Sequence, residues 1–329
     1  MKTNARPVIV GVDMSGTSDL ALDWAATEAA RLGLPLLVVH SYSPPPYPAM
    51  RAGGAAGAEI TDLDEALKDV AEHAAATCAD RARAAHPGLA VRAVIGVGLP
   101  GTILVEASSD AELVVVGARG LGAVKGVIFG SVSTHVCAHA HAPVIVVQEA
   151  ASHTLTDTRV VVGVDGSEIS QAALAFAFAQ ASSRRAGLTA VHTWQVEGDE
   201  GAAAAMTSSV DWTQLEAQER SVVAEALAGY ADQYPDVDVR RHVAQGHPVK
   251  ELARLSENAC LLVVGTRGRG TVSGWLKGSV SQGVLRAAHC PVAVVHPENP
   301  EANDAAGRPG GAKERHGVHL PVLPVGERV

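Results

Sequence analysis

Aromatic residues are scarce in this 329-residue chain: Phe, Trp and Tyr make up 3% of it, with three Phe in all. A core must therefore be built from Val, Leu, Ile and Ala, and a hydrophobic content of 47% supplies enough of them. Cysteine is also sparse. Cys78, Cys137, Cys260 and Cys290 form no Cys-x-x-Cys pair and fall at no matching places in the two halves, a pattern that suits reduced, buried thiols in a cytoplasmic protein. No stretch approaches the ~20 apolar residues that span a bilayer, so a membrane partner is not expected. The apolar run after Pro7 is short and meets Asp13 before any cleavage-like site, which argues against a secretory signal. Excess positive charge is missing too. A net charge of -9 argues against nucleic acid as a partner, because phosphate neutralisation needs a basic face, and the pairs Arg184-Arg185 and Arg240-Arg241 read as solvated surface. No Gly-Lys dipeptide occurs, which excludes a Walker-type P-loop. A Gly-x-Ser-x-Gly elbow and a His-Glu-x-x-His helix are absent as well.

What is present is a duplication. Val8-Ile-Val-Gly-Val-Asp13 recurs 152 positions on as Val160-Val-Val-Gly-Val-Asp165, and Val38-Val39-His40 recurs at the same offset as Ala190-Val191-His192. Gly98-Leu-Pro100, Gly130-Ser131 and Pro143-Val-Ile-Val-Val147 recur 148 positions on as Gly246-His-Pro248, Gly278-Ser279 and Pro291-Val-Ala-Val-Val295. The four-residue difference falls between the second strand and Gly98, where a loop or helix end tolerates it. Two tandem domains follow, residues 1–150 and 158–297, with a polar linker between them. Residues 298–329 are rich in Pro, Gly and charge without periodicity and read as a disordered tail; His316 and His319 there lack the companions that a metal site needs.

Within the first copy the pattern predicts strands at 8–12, 35–40, 90–95, 113–116 and 144–147. Helices are predicted at 17–32, 59–85, 100–108 and 131–139. Leu63, Leu67, Val70, Ala74 and Cys78 recur at three or four residues and make one apolar stripe on the second helix. The second copy predicts strands at 160–164, 188–192, 237–243, 261–264 and 292–295. Strand alternating with helix defines an α/β fold: two tandem, open-twisted, five-stranded parallel sheets with helices on both faces. The apolar fifth strands predict that the two copies meet edge to edge as an intrachain pseudo-dimer.

The candidate site lies in a loop that occurs twice. Gly117-Ala-Arg-Gly120, nine residues, then Gly130-Ser131-Val132-Ser133 is matched by Gly265-Thr-Arg-Gly268, nine residues, then Gly278-Ser279-Val280-Ser281. Each copy follows an apolar strand and leads into a helix. Glycines let the backbone approach a ligand, while free N–H groups and the helix dipole face negative charge, so the loop suits a polyphosphate. In open sheets of this kind ligands sit beyond the carboxyl ends of the strands, where Asp13 and Asp165 also fall. Arg119 and Arg267 read either as phosphate neutralisers or as solvated side chains; His40 and His192 read as packing or hydrogen-bonding residues. Met14 stands where the second copy has Gly166 and puts a bulkier residue at the entrance of the first site.

The Gly, two residues, Gly, nine residues, Gly-Ser pattern, with an Asp closing Gly-Val-Asp, resembles the ATP-binding subgroup of the universal stress protein family over about residues 6–149 and 158–297. The resemblance implies a Rossmann-like fold of the adenine nucleotide alpha hydrolase type. It implies that Gly117, Gly120, Gly130, Ser131, Val132 and Ser133 surround the ribose and phosphates of ATP, as do Gly265, Gly268, Gly278, Ser279, Val280 and Ser281. Asp13 and Asp165 would approach the nucleoside with Val12 and Val164 beside them, Ser41 and Thr193 would meet adenine through the backbone, and Mg2+ would bridge the phosphates. A nucleotide-responsive regulator or binding module is thus expected, with homodimerisation open. The alternatives are an ATP-consuming enzyme of the same fold and a scaffold without nucleotide. Gln245-Gly-His247 lacks the His or Thr of a nucleotidyl-transferase signature, and Gly163-Val-Asp-Gly-Ser167 is not the Ser-Gly-Gly-x-Asp-Ser loop of ATP pyrophosphatases.

Overall fold

The computed structural model describes residues 5–44, 55–120, 129–149, 159–195, 211–266, 279–297 and 323–324, leaving aside the side chains of 55–62 and 323–324. The chain divides into two units, Met1–Glu149 with Glu298–Val329, and Ala150–Pro297. In the first, β1 (Val8–Gly11), α1 (Gly16–Leu32), β2 (Leu36–Tyr42), α2 (Ala55–Ala85), β3 (Val91–Val97), α3 (Pro100–Ala107), β4 (Leu113–Gly117), α4 (Ser131–His139) and β5 (Val144–Val147) alternate. The strands lie side by side in the order β3-β2-β1-β4-β5, and each pairing is parallel.

The second unit repeats this with β6 (Arg159–Gly163), α5 (Glu168–Arg184), β7 (Gly187–Trp194), α6 (Trp212–Ala226), the short α7 (Tyr230–Gln233), β8 (Val239–Gln245), α8 (Pro248–Ser256), β9 (Ala259–Gly265), α9 (Ser279–Ala287) and β10 (Val292–Val295). Its order is β8-β7-β6-β9-β10, again parallel. Mixed α/β architecture with parallel sheets is as the sequence predicts.

Burial follows from composition. The Val-rich central strands are sealed on both faces, with Leu113, Val114, Val115 and Val116 at most 3% exposed. Helices meet these sheets through small side chains: α1 buries Ala21, Leu22, Ala25, Ala26 and Ala29, and α5 buries Ala173, Leu174, Ala177, Phe178 and Ala181. Alanine faces let a helix axis approach the sheet closely, which offsets the shortage of aromatic bulk. Both helices start at a serine, whose Oγ accepts the N–H three residues on, Ser15 from Ser18 and Ser167 from Ser170.

Several elements differ from the sequence prediction. The stripe on α2 is buried only in its second half: Leu63, Leu67 and Val70 are 50%, 38% and 67% exposed, while Ala74 and Cys78 are 9% and 4%. The buried face of this helix, which packs on β2 and β3, runs through Ala71, Ala75, Ala79 and Ala82 instead. β2 and β3 run longer than predicted because the ladder continues through Ser41 opposite Gly96 and Tyr42 opposite Val97. β8 sits two residues later than predicted, its pairing with β7 running from Leu188 opposite Val239 to Trp194 opposite Gln245. Of the tail predicted to lack structure, Leu323–Pro324 is described and forms a short strand, β11, antiparallel to β3 with Leu323 opposite Ile95 and Pro324 opposite Val94. The rest of the tail lies outside the described residues, as do 45–54 in the Pro- and Gly-rich loop. Among the described residues no helix is long and apolar enough to cross a membrane.

Candidate functional site

β1 has β2 on one side and β4 on the other, so the strand order reverses there, and the carboxyl ends of these strands frame a crevice. The ladder ends in step: the Val12 N–H donates to Val39 O at 3.0 Å, Gly98 N–H to Tyr42 O at 2.9 Å and Ala118 N–H to Val147 O at 2.9 Å. Beyond those bonds the chain leaves the sheet, and a cavity of 560 Å³ opens. It is lined by Val12 and Asp13 after β1, Ser41 on β2, Gly117 at the end of β4 and Gly120 beyond it. Gly130, Ser131, Val132 and Ser133 at the start of α4 complete it. The structure therefore brings the expected ligand-site residues of the first copy, Val12, Asp13, Ser41, Gly117, Gly120 and Gly130–Ser133, into one lining.

The glycines of this loop are there for different reasons. A Cβ on Gly117 would lie 2.8 Å from the carbonyl carbon and 2.9 Å from the carbonyl oxygen of Thr17, so this glycine admits the first turn of α1. A Cβ on Gly120 would collide with Asp13 Oδ2. Asp13 is itself held, since its Oδ1 accepts from Ser15 N–H at 3.1 Å and Ser15 Oγ at 2.5 Å. The Thr17 hydroxyl donates to the carbonyl of Arg119. Gly130 is unlike both. Its φ of -73° is open to any residue, and the nearest heavy atom to a Cβ there lies at 3.6 Å.

Gly130 is also the N-cap of α4 and offers no side chain to the first turn, so the leading N–H groups of the helix are uncapped beside the cavity. The loop is stapled from behind. Gly130 N–H and Ser133 Oγ both donate to Ala118 O, at 2.9 and 3.1 Å, and Thr134 Oγ1 donates to Gly130 O at 2.9 Å. The Ser133 hydroxyl thus serves the loop. Arg119 also lines the cavity, and its Nη2 lies 3.3 Å from Glu149 Oε2 in an exposed pair.

In the second unit Val164 and Asp165 follow β6, Thr193 lies on β7 opposite Ala244, Gly265 ends β9, and Ser279, Val280 and Ser281 open α9. The same devices recur: Ser167 N–H and Oγ donate to Asp165 Oδ1 at 2.9 and 2.6 Å, and Ser281 Oγ donates to Thr266 O at 3.4 Å. Gly268, Gly278 and Arg267 lie outside the described residues. Met14 keeps the turn of Gly166, with φ of 64° against 76°. Its side chain is 47% exposed, in contact with Cys78 Sγ at 3.7 Å, and is not part of the cavity lining.

Sequence reasoning did not assign Gly98, Pro100 or Phe129 to the site, yet all three line the cavity. The repeat of Gly98 and Pro100 as Gly246 and Pro248 was a usable signal; φ of 123° and 150° at Gly98 and Gly246 explains those glycines. Burial pushes the Cys137 thiol up to about 12 and raises Cys78 and Cys290, so these thiols behave as small hydrophobes. Among the described residues no group of three or more His, Cys, Asp or Glu side chains is placed to hold a metal ion.

These features define a tandem doubly wound α/β protein with an anion-suited crevice at its switch point. The family model of the universal stress protein family matches residues 4–148 and 158–296, and the chain belongs to that family. A universal stress protein of Mycolicibacterium smegmatis is 37% identical over 294 residues, covering 88% of this chain and 97% of the relative. One from Mycobacterium tuberculosis is 38% identical over 297 residues, covering 87% and 96%. The crystal structure of a universal stress protein from Archaeoglobus fulgidus is similar in fold, with a TM-score of 0.59 at 22% identity over 90% of this chain and 98% of that one.

Proposed function

We propose that this chain is an ATP-binding universal stress protein, a nucleotide-responsive regulator or binding module of the stress or dormancy response, taking one nucleotide per unit and hydrolysing it slowly at most. The observation that carries the reading is that a Cβ at Gly130 would meet only ordinary contacts, the nearest at 3.6 Å. Gly117 and Gly120 are explained by their protein neighbours, whereas among the described residues none demands a glycine at 130. A phosphate drawn against the bare backbone and the uncapped first turn of α4 supplies the demand.

The cavity's 560 Å³ falls within the range of small-molecule sites, roughly 300–1,000 Å³. Val12, Val39, Val116 and Phe129 give it apolar walls suited to a base, and Ser41 borders it. Asp13 is the carboxylate in the lining. A magnesium ion would therefore come with the nucleotide, held by phosphate oxygens and water, as this ion prefers, with Asp13 the protein group at hand. Ligand at ~1,000 times its dissociation constant would stabilise the folded chain by about 4 kcal/mol.

The test is to denature freshly purified protein, separate the released small molecules by ion exchange and count adenine nucleotide per chain, for wild type and for Gly130→Ala with Gly278→Ala. Two ATP per wild-type chain, reduced in the variant, supports the reading. No nucleotide, together with no uptake of millimolar Mg·ATP by calorimetry, sinks it.

A further inference from the structure

α4 begins beside the cavity and ends on a pair of histidines. His135 and His139 are four positions apart on it, a spacing that sets two side chains one above the other on a single helix face. Their ring centroids lie 4.5 Å apart, with the planes 33° from parallel. His135 is half-buried, and His139, the last residue of the helix, is exposed.

Both rings are held in place. His139 Nδ1 lies 2.9 Å from the carbonyl oxygen of His135. A carbonyl only accepts, so Nδ1 carries the hydrogen and the neutral ring keeps its lone pair on Nε2. A backbone carbonyl on the far nitrogen is the usual support of a metal-ligating imidazole, because it fixes tautomer and ring direction. His135 is seated against α3, where a Cβ on Gly101 would lie 2.9 Å from its Cδ2.

The second unit fills the same contact from the opposite side. Val249, Gly283 and Ala287 stand 148 positions on from Gly101, His135 and His139, and a Cβ on Gly283 would lie 2.5 Å from Val249 Cγ2. One valine against one glycine therefore suffices to pack these two helices. The two histidines of the first unit go beyond what packing requires.

The geometry also selects the ligand. With metal–nitrogen bonds of about 2.0–2.1 Å, two imidazoles at right angles on one ion have ring centres roughly 4.5 Å apart, whereas the tetrahedral angle of zinc spreads them to roughly 5 Å. The observed separation matches the first arrangement. Imidazole nitrogen suits nickel and copper, whose divalent ions take square or tetragonal coordination. The negative end of the α4 dipole further favours a cation beside His139.

We propose that His135 and His139 chelate one divalent transition-metal ion, nickel or copper, through Nε2 of His139 and a ring nitrogen of His135. Among the described residues no third His, Cys, Asp or Glu joins them, so water fills the remaining positions. The pair lies at the opposite end of α4 from the cavity and does not rest on nucleotide binding, so the two readings stand or fall separately.

The test titrates nickel chloride by calorimetry into full-length protein that carries no affinity tag, stripped of metal with EDTA and free of nucleotide. Wild type is expected to take up one nickel ion per chain at this pair. His135→Gln and His139→Gln are each expected to bind at least about tenfold more weakly, since losing a ligand costs no less than the roughly 10–100-fold lost with its supporting contacts. His139 is exposed, so His139→Gln keeps the fold, which an unchanged melting temperature without metal verifies. Nickel should then raise the melting temperature of wild type and not that of His139→Gln. Protons compete for the same lone pairs, so uptake should weaken as pH falls into the range where imidazole is protonated. The double variant His316→Gln with His319→Gln should bind as wild type does. No binding by wild type at millimolar nickel, binding that survives His139→Gln, or binding lost with His316 and His319 overturns the proposal.

Discussion

The Nδ1–H of His40 donates to the carbonyl oxygen of Val12 at 2.7 Å, and the duplication repeats the bond from His192 to Val164 at 2.7 Å. Each ties the end of one strand to the residue just before the site aspartate. His192 does more, because its Nε2 also meets Glu219 Oε2 on α6 at 2.7 Å. His40→Leu and His192→Leu each leave a carbonyl short of its donor and are expected to cost about 1–3 kcal/mol in chemical denaturation. The larger loss belongs to His192→Leu, which also strands Glu219.

Glycines that look alike in the loop should separate on substitution. Gly117→Ala forces a Cβ against the Thr17 backbone, and overpacking of this kind costs roughly 1–3 kcal/mol. Gly130→Ala, with 3.6 Å of clearance, should leave stability within about 0.5 kcal/mol of wild type while lowering nucleotide uptake. Urea midpoints and bound-nucleotide counts on the same preparations read both.

Met14 holds a left-handed φ of 64° with a side chain 47% exposed. The left-handed region costs a residue with a Cβ about 1–2 kcal/mol, and glycine gives back roughly half of that through unfolded-state entropy. Met14→Gly is therefore expected to raise stability by about 0.5–1 kcal/mol, seen as a higher denaturation midpoint at constant slope. Gly166→Met should do the reverse.

Arg159 is buried at the foot of β6. Its guanidinium donates to Thr189 Oγ1 at 3.1 Å, Leu188 O at 2.7 Å, and Asp238 Oδ2 and O at 2.6 and 2.9 Å, and a Cβ on Gly187 would strike it. Arg159→Leu leaves several acceptors unanswered, for an expected loss of about 2–4 kcal/mol. Asp238→Asn, at a carboxylate open to water, should cost far less. Thermal unfolding of the two variants ranks them.

Glu251 accepts from Arg254 Nη2 at 2.6 Å and lies 2.7 Å from His242 Nε2. The hydrogen bond from Arg254, then that from His242, hold its carboxyl below the ordinary value of 4.5, against the opposing effect of burial. A carboxyl lowered on folding adds stability that is fully present above its unfolded value and is lost as pH falls through the folded one. Wild type should thus exceed Glu251→Gln in stability near neutrality, and the gap should close as pH drops below 4.5. Urea titrations at stepped pH measure it.

Much of the fold was legible in the chain because its signals are local. Period-two and period-three-to-four patterning is written within single elements, and a duplicated Gly-x-x-Gly…Gly-Ser spacing can be recognised without knowing what it touches. The α2 stripe was misread because periodicity marks a face without saying how closely another surface approaches it; Leu63 and Val70 have the right spacing and stand in solvent, while the smaller Ala71 and Ala75 reach the sheet.

By itself the sequence determined the tandem α/β architecture, the family and the stretch that holds the candidate site, since each rests on order and spacing along the chain. Only the tertiary structure decided what each residue in that stretch is for. Thr17 and Gly117 lie 100 positions apart along the chain, and it is the approach of the Thr17 backbone to Gly117 and of Asp13 to Gly120 that makes those two glycines packing residues, while a Cβ at Gly130 would meet only ordinary contacts at 3.6 Å. The same holds for Leu323 and Ile95, which no local pattern joins. Burial, steric clearance and edge pairing are properties of distance in space, and they exist only once the chain has brought remote segments together.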